Sequence, residues 1–458
     1  MKKTMLVCSL ILLATSGPVP AKDFPLEFKP LTLEQVKGYK WSYGAVQMIV
    51  AAKPAALKNE PKAVSAHPLY GEFKYRSDKT SMLFRLDESQ GTGKGYDTLI
   101  LDLNRNGDLT DDTVITPAAN MEPWSNFKGQ EVRLFGPIEA PAAKWNGPGK
   151  PIYYAVLDLR ANAIGQLHKN PALVKEYLGN LRLRAGFCLE TTVEMDGFKH
   201  KVAVIDNDAN MRLGDLCRPY ISSDGRWFLG AADGDRLLFI KDDSGTNNGS
   251  RCFASILYLD AVPYQVALAA DCRSLQVEPW PEPLAEVSLQ PHGEQVDGLG
   301  LGWESAKDQW QFIDVGVAGG RIKVPPGNYG LWCVSVSAKS PKGETLTVNG
   351  ANMNSRKVFS MTSGGTNTLR CGTPLEIKVT TSHPDNSSSS VLFNWVGKLF
   401  SSESDELRIQ AEIVGAGGET YSSFSLVDEH GRRQPAKPAF TIATADGKVV
   451  ASGNLEFG

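Results

Sequence analysis

The sequence predicts a mainly β protein: a β-rich N-terminal region carrying acidic, oxygen-rich loops, followed by a β-sandwich region. Three observations carry that expectation. Short runs of strand-like length and composition recur at Thr98–Leu101 and at residues 201–205, 237–240, 375–379 and 407–413, and the last two alternate apolar with polar residues. Gly, Asn, Asp and Pro bound most of these runs, and signals for helices are few. A proline-rich stretch, residues 277–283, divides the chain, because three prolines within five residues favour an extended linker over a central strand.

The first 21 residues have the pattern of a secretory leader. Lys2 and Lys3 precede an apolar stretch too short to span a bilayer, and Val19-Pro20-Ala21 offers small residues for cleavage before Lys22. Export, to a periplasm or beyond, is therefore expected, with no transmembrane helix in the remaining chain. The formal charge is −3; without the leader, 46 basic residues face 51 acidic ones, giving −5. That balance argues against broad attraction to nucleic acid or to an anionic membrane. With 22% charged and 42% apolar residues, the composition is globular rather than disordered.

Residues 22–276 form the expected β-rich region and residues 284–458 the sandwich, either whole or with residues 405–458 as a further sub-domain. Helices are expected at two places. Thr32 and Gln35 have capping-box spacing ahead of Gly38, and Asn170-Pro171 opens a segment closing at Gly179. Asp446-Gly447 marks a hairpin, since Asp-Gly supplies the positive φ angles of a tight turn. Val324-Pro325-Pro326-Gly327-Asn328-Tyr329 resembles the proline-glycine-x-tyrosine strand start of transthyretin-like and immunoglobulin-like modules. That likeness covers about six residues and carries no active site with it.

The most specific chemistry lies in residues 102–112. Asp102, Asn104, Asn106, Asp108, Thr110, Asp111 and Asp112 place oxygen-bearing side chains around Gly107, the way a backbone loop wraps a hard divalent cation. An ordinary turn needs fewer such residues, and the clustered carboxylates repel one another without a cation. The loop resembles EF-hand and dockerin calcium loops. The resemblance implies Asp102, Asn104 and Asn106 as side-chain ligands, Gly107 as the turn, Asp108 as a carbonyl donor, and Thr110 ligating directly or through water. It departs at Thr113, where the family has an acidic bidentate ligand; Asp111 or Asp112 would substitute. Residues 114–117 make a poor exiting helix, so only the loop chemistry carries over. Calcium suits such a loop better than magnesium, which demands stricter octahedral geometry.

A shift of 104 residues places Asp102, Asn104, Asn106, Leu109 and Asp111 on Asp206, Asp208, Asn210, Leu213 and Asp215, again after an apolar run. This suggests an internal repeat, with Asp206, Asp208, Asn210 and Asp215 as a weaker second metal site. Met211 stands where Gly107 makes the turn, and Arg212 replaces Asp108. Residues 242–249 are a third, still weaker candidate, read as a Gly/Asn-rich loop.

Cys8 falls in the leader. The even number left, Cys188, Cys217, Cys252, Cys272, Cys333 and Cys371, suggests disulfides in an exported chain, most simply between sequence neighbours. No spacing fits a structural zinc site.

Nothing in the sequence specifies a reaction. His67, His168, His200, His292, His383 and His430 form no His-Glu-x-x-His motif, and there is no Gly-x-Ser-x-Gly elbow. Gly91–Gly95 lacks the spacing of a phosphate loop. Trp303, Trp310 and Trp332 fit a sandwich core better than a sugar- or peptide-binding face. The reading is thus an exported calcium-binding protein with a structural or extracellular binding role, its partner an unidentified protein or glycan. A secreted hydrolase of polysaccharide or peptide, with the sandwich as accessory domain, is the alternative.

Overall fold

Strands dominate the computed structural model, which describes residues 21–37, 44–75, 80–92, 95–121, 130–141, 145–169, 178–221, 227–228, 234–240, 247–281, 283–290, 294–307, 309–339, 344–351, 358–382, 408–427, 433–436, 439–444 and 446–454. The expected runs all contain strands: Thr98–Leu101, Phe198–Ile205, Arg236–Ile240, Glu376–Ser382 and Arg408–Val414. The expected leader through Pro20 lies outside the described residues, as do residues 170–177 of the helix expected from Asn170 to Gly179. The end of that helix differs from the expectation, since Gly179 opens the strand Gly179–Ala185.

Antiparallel sheets surround one large apolar core in the N-terminal region. One sheet runs Leu69–Phe73, Met82–Asp87, Thr98–Leu101, Val114–Ile115 in hydrogen-bonded order. A second runs Asn247–Cys252, Arg236–Ile240, Phe198–Ile205, Phe187–Met195, Glu27–Pro30. A third is built on Ile152–Arg160, between Gly179–Ala185 and Gln130–Glu139. Met82–Asp87 is buried at every position, as a strand covered on both faces must be.

The capping box forms: the Thr32 amide donates to Gln35 Oε1 at 2.8 Å and the Gln35 amide to Thr32 Oγ1 at 3.3 Å, opening the short helix Leu33–Lys37. A second helix, Ala161–Lys169, follows the strand Ile152–Arg160 and was not expected; only Ile164 and Leu167 are buried on it. The Asp446-Gly447 hairpin also forms, with Gly447 at φ +87° between Ala439–Ala443 and Val449–Asn454.

After the proline-rich stretch, a large sheet faces a three-stranded one made of Arg321–Val324, Ala285–Gln290 and Asn367–Arg370. Alternate residues of Ala285–Gln290 are buried, and Ala285, Val287 and Leu289 pack with Leu299, Leu301, Ile313 and Tyr329 of the opposing sheet. Tyr329 is fully buried, and its hydroxyl donates to the Pro325 carbonyl at 2.5 Å, so the strand start expected at Gly327 is tied back to its own approach.

The linker expectation needs correction. Residues Val277 to Pro279 end a strand, Ser274–Pro279, that pairs with Val262–Leu268 and with Lys22–Pro25. Pro279 is tolerated because it lies beyond the last residue paired to Lys22–Pro25. Trp280 packs edge-on against Trp303 at 5.8 Å, anchoring the stretch on the sandwich. The strand Ile256–Leu259, which precedes it, is buried at all four positions and serves both cores. Ile256 and Tyr258 face the sandwich, and Leu257 and Leu259 face the N-terminal core.

The cysteine expectation is also corrected. All six are free thiols, with no pair at bonding distance. Strand register places them by packing: Cys217 and Cys252 lie together beside Phe312 and Trp332, rather than with the sequence neighbours expected. A disulfide requires convergent Cβ geometry, which spacing along the chain does not report.

Candidate functional site

Thr98–Leu101 runs from the N-terminal core into the first acidic loop, and pairing continues through the Asp102 amide, which donates to the Leu83 carbonyl at 2.9 Å. Asp102 is buried, and its two oxygens hold the turn. Oδ1 accepts the Asn106 amide at 3.0 Å and Oδ2 the Gly107 amide at 2.9 Å. Asn104 Oδ1 also accepts from the Asn106 amide, and Asn106 Oδ1 accepts from the Asp108 amide. Two left-handed residues make the bend, Arg105 at φ +60° and Gly107 at φ +78°. Gly107 is required twice over, since a Cβ there would sit 2.6 Å from the Ala56 carbonyl oxygen.

Other members of the loop divide between two faces. Asn104 and Asn106 both donate side-chain amides to Asp111 Oδ2, at 3.1 and 2.9 Å. Asp108 turns the other way: Oδ1 accepts the Thr110 amide and hydroxyl, and Oδ2 accepts from Asn59. These bonds, that of the Thr110 hydroxyl foremost, hold the Asp108 carboxyl below its ordinary range. Asp112 Oδ1 accepts the Leu103 amide at 3.3 Å, while its buried Oδ2 has no hydrogen-bond partner. Burial, with Asp102 and Asp111 nearby, pushes the Asp112 carboxyl up to about 7.

The second loop repeats five of these hydrogen bonds. Asp206 Oδ1 accepts the Asn210 amide at 3.2 Å and Oδ2 the Met211 amide at 2.9 Å. Asp208 Oδ1 accepts from the Asn210 amide, Asn210 Oδ1 accepts from the Arg212 amide, and the Asn210 side chain donates to Asp215. Left-handed residues again stand at the two equivalent positions, Ala209 at φ +52° and Met211 at φ +71°. For a residue with a Cβ, that conformation costs about 1–2 kcal/mol. Met211 is fully buried in the N-terminal core, and burying such a side chain gives about 1.5–3 kcal/mol, enough to offset the strain. Arg212 is exposed, so its charge lies away from the loop interior.

Surroundings distinguish the two. In the first loop Asn104, Asn106, Thr110 and Asp111 are exposed; in the second Asp206 and Asn210 are buried and Asp208 half-buried. The Tyr153 hydroxyl, fully buried, donates to Asp206 Oδ2 at 2.5 Å. Arg105 of the first loop reaches the second, its Nη2 donating to the Asn210 carbonyl at 3.0 Å.

One acidic residue near the second loop escaped the sequence reading. Asp235 precedes the strand Arg236–Ile240, whose register against Phe198–Ile205 pairs Ile205 with Arg236 and so sets Asp235 across from Asp206. Continuing the register of Thr98–Leu101 with Val114–Ile115 sets Asp112 across from Asp102 in the same way. Asp235 is fully buried; its Oδ2 accepts the Gly214 and Asp215 amides at 2.7 and 3.0 Å. An oxygen from each of Asp206, Asp208 and Asp235 lies within 4.8 Å of the others. Burial pushes the Asp206 carboxyl up to about 6, and burial plus the Asp206 charge pushes Asp208 and Asp235 well above their ordinary range. The readable signal was an Asp leading into the next apolar run, since that run is the natural hairpin partner of the strand feeding the loop.

Of the third candidate, residues 242–246 lie outside the described residues, and Asn247 onward belongs to the strand Asn247–Cys252. Among the described histidines, His67 packs edge-on against His168 at 5.1 Å, and His200 packs against Phe198 and Phe239. His292, His383 and His430 lie outside the described residues. Trp303 is buried in the sandwich, and Trp332 stacks edge-on against Phe312 at 4.6 Å, so both serve packing. Among the described residues, no helix is long and apolar enough to cross a membrane. Neither a family model, nor a curated protein, nor a solved structure matches this chain.

Proposed function

We propose that this is an exported calcium-binding β protein whose acidic loops brace the N-terminal region, in a structural or extracellular binding role toward a protein or glycan partner. The observation that carries the reading is the shared construction of the two loops. In each, a leading Asp at a strand end fixes the turn through two backbone amides, and a second carboxylate stands across from it, Asp112 or Asp235. Both loops are rich in carboxylate and amide oxygens, the donor type that hard divalent cations take. Asp102, Asn104, Asn106, Asp108, Thr110, Asp111 and Asp112 form the first proposed site, with Asp108 contributing its carbonyl because its carboxylate is engaged by Thr110 and Asn59. Asp206, Asp208, Asn210 and Asp215 belong to the second. We read the two as copies of one strand-plus-loop unit, on the strength of matching register, hydrogen bonds and left-handed positions.

Thermal or denaturant unfolding with and without calcium tests this. Extracellular calcium modules bind at about 10⁻⁴–10⁻³ M. At roughly 10 mM free calcium, linkage then predicts about 1.4–2.7 kcal/mol of added stability for one site. No stabilisation and no calcium bound at millimolar concentration would remove the reading.

A further inference from the structure

Asp235 changes what the second loop can hold. Its Oδ2 is fixed by the Gly214 and Asp215 amides, while Oδ1 is buried and has no hydrogen-bond partner. An unpartnered carboxylate oxygen on a residue with no exposed surface needs a proton or a cation to offset its lost hydration. One carboxylate oxygen of Asp235 lies within 4.8 Å of an oxygen from each of Asp206 and Asp208. Two oxygens on opposite sides of a calcium ion, each about 2.4 Å away, are about 4.8 Å apart, so the three fit one coordination shell. Among the described residues, none of the three forms an ion pair with Lys or Arg that would do the same work.

The site is also held in shape before any ion arrives. Asp206 is positioned by Tyr153, Asn210 and Met211, and Asp235 by the two amides of the loop exit. These partners act on ligand oxygens from outside the shell, which is how a scaffold orients a metal centre.

We propose that Asp206, Asp208 and Asp235 form a buried centre for a hard divalent cation, calcium by preference, with Asp235 supplying from the opposite strand the ligand that the loop lacks. At the position where the first loop carries Asp112, the second has Leu216, and Asp235 takes its place across the sheet. This rests on the calcium reading of the loops and adds to it a ligand outside either loop.

The test is calorimetric titration of the full mature chain with calcium, comparing wild type with Asp235→Asn and Asp102→Ala. Asp235→Asn keeps an acceptor for the Gly214 and Asp215 amides and removes the charge. It is expected to bind one calcium fewer while retaining the event that Asp102→Ala abolishes. If Asp235→Asn binds like wild type while Asp102→Ala loses an ion, the Asp235 centre is overturned and the first-loop reading stands. If wild type binds no calcium, both fall. Should circular dichroism show Asp235→Asn unfolded, Asp208→Asn decides by the same stoichiometry. Terbium provides a second readout: Tyr153 adjoins Asp206, so Tyr153→Phe should cut tyrosine-sensitised emission by about half or more. Unchanged emission would place the bound ion elsewhere and count against the centre.

Discussion

Arg105 donates to the Asn210 carbonyl at 3.0 Å, joining the turn of one acidic loop to the turn of the other. Its guanidinium lies over the Tyr75 ring at 4.7 Å, and the Tyr75 hydroxyl donates to the Ala209 carbonyl at 3.1 Å. The loops are therefore packed as a pair, through a residue that sits in neither proposed ligand set. Arg105→Ala removes a charge-assisted hydrogen bond and a cation–π contact, and should cost about 2–3 kcal/mol of stability. Arg105→Lys should recover only part of it, because an ammonium has no planar face to stack. Denaturant midpoints measure both; an unshifted midpoint for Arg105→Ala would show that the bridge is incidental.

Gly107 and Gly447 separate strain from collision. Both have left-handed backbones, φ +78° and +87°, but a Cβ at 107 meets the Ala56 carbonyl oxygen whereas one at 447 meets nothing within 4 Å. Gly447→Ala should cost about 1 kcal/mol, from the conformation alone. Gly107→Ala should cost more than twice that and disturb the first loop, visible as a lower melting temperature. Equal costs at the two sites would contradict the close approach to Ala56.

Acid should weaken the fold partly through Glu60. Burial raises this carboxyl, but hydrogen bonds from Lys53 and Arg85 and the Lys53 charge outweigh it, leaving it below its ordinary value of 4.5. A carboxyl depressed in the folded state contributes stability above its unfolded pKa and loses it as pH falls through the folded one. Glu60→Gln should thus be less stable than wild type at neutral pH, with the gap closing below about pH 4.5. Parallel stability curves across that window would remove Glu60 from the acid response.

Free thiols give a chemical check. Burial raises the Cys272 thiol to about 11 and those of Cys333 and Cys371 to about 12, so little reactive thiolate is present at neutral pH. Alkylation of the native chain should be slow, and after unfolding without reductant all six should label. Fewer than six labels by mass spectrometry would reveal a disulfide.

Local patterns in the sequence carried much of the architecture. Thr32 and Gln35 marked a cap, Asp446-Gly447 a turn, and alternation in residues 407–413 a strand, because each depends on neighbours along the chain. The acidic loop was legible for the same reason, its bonds running between residues two to five apart. Asp235 was not, since its place opposite Asp206 arises from strand register across 29 residues. The steric cost at Met211 is read from the residue itself, while the burial that offsets it belongs to the tertiary core and leaves no local mark. The helix Ala161–Lys169 went unnoticed because Gly165 interrupts it and only two of its side chains are buried.

The strand Ile256–Leu259 has a consequence for dissecting this chain. Its side chains belong by turns to two cores, so neither half is portable. A fragment starting at residue 284 would leave the sandwich without Ile256 and Tyr258. One ending at 276 would leave those same two residues bare. The proline-rich stretch looks like the natural place to cut, yet the seam runs along the strand before it, where no cut yields two intact pieces.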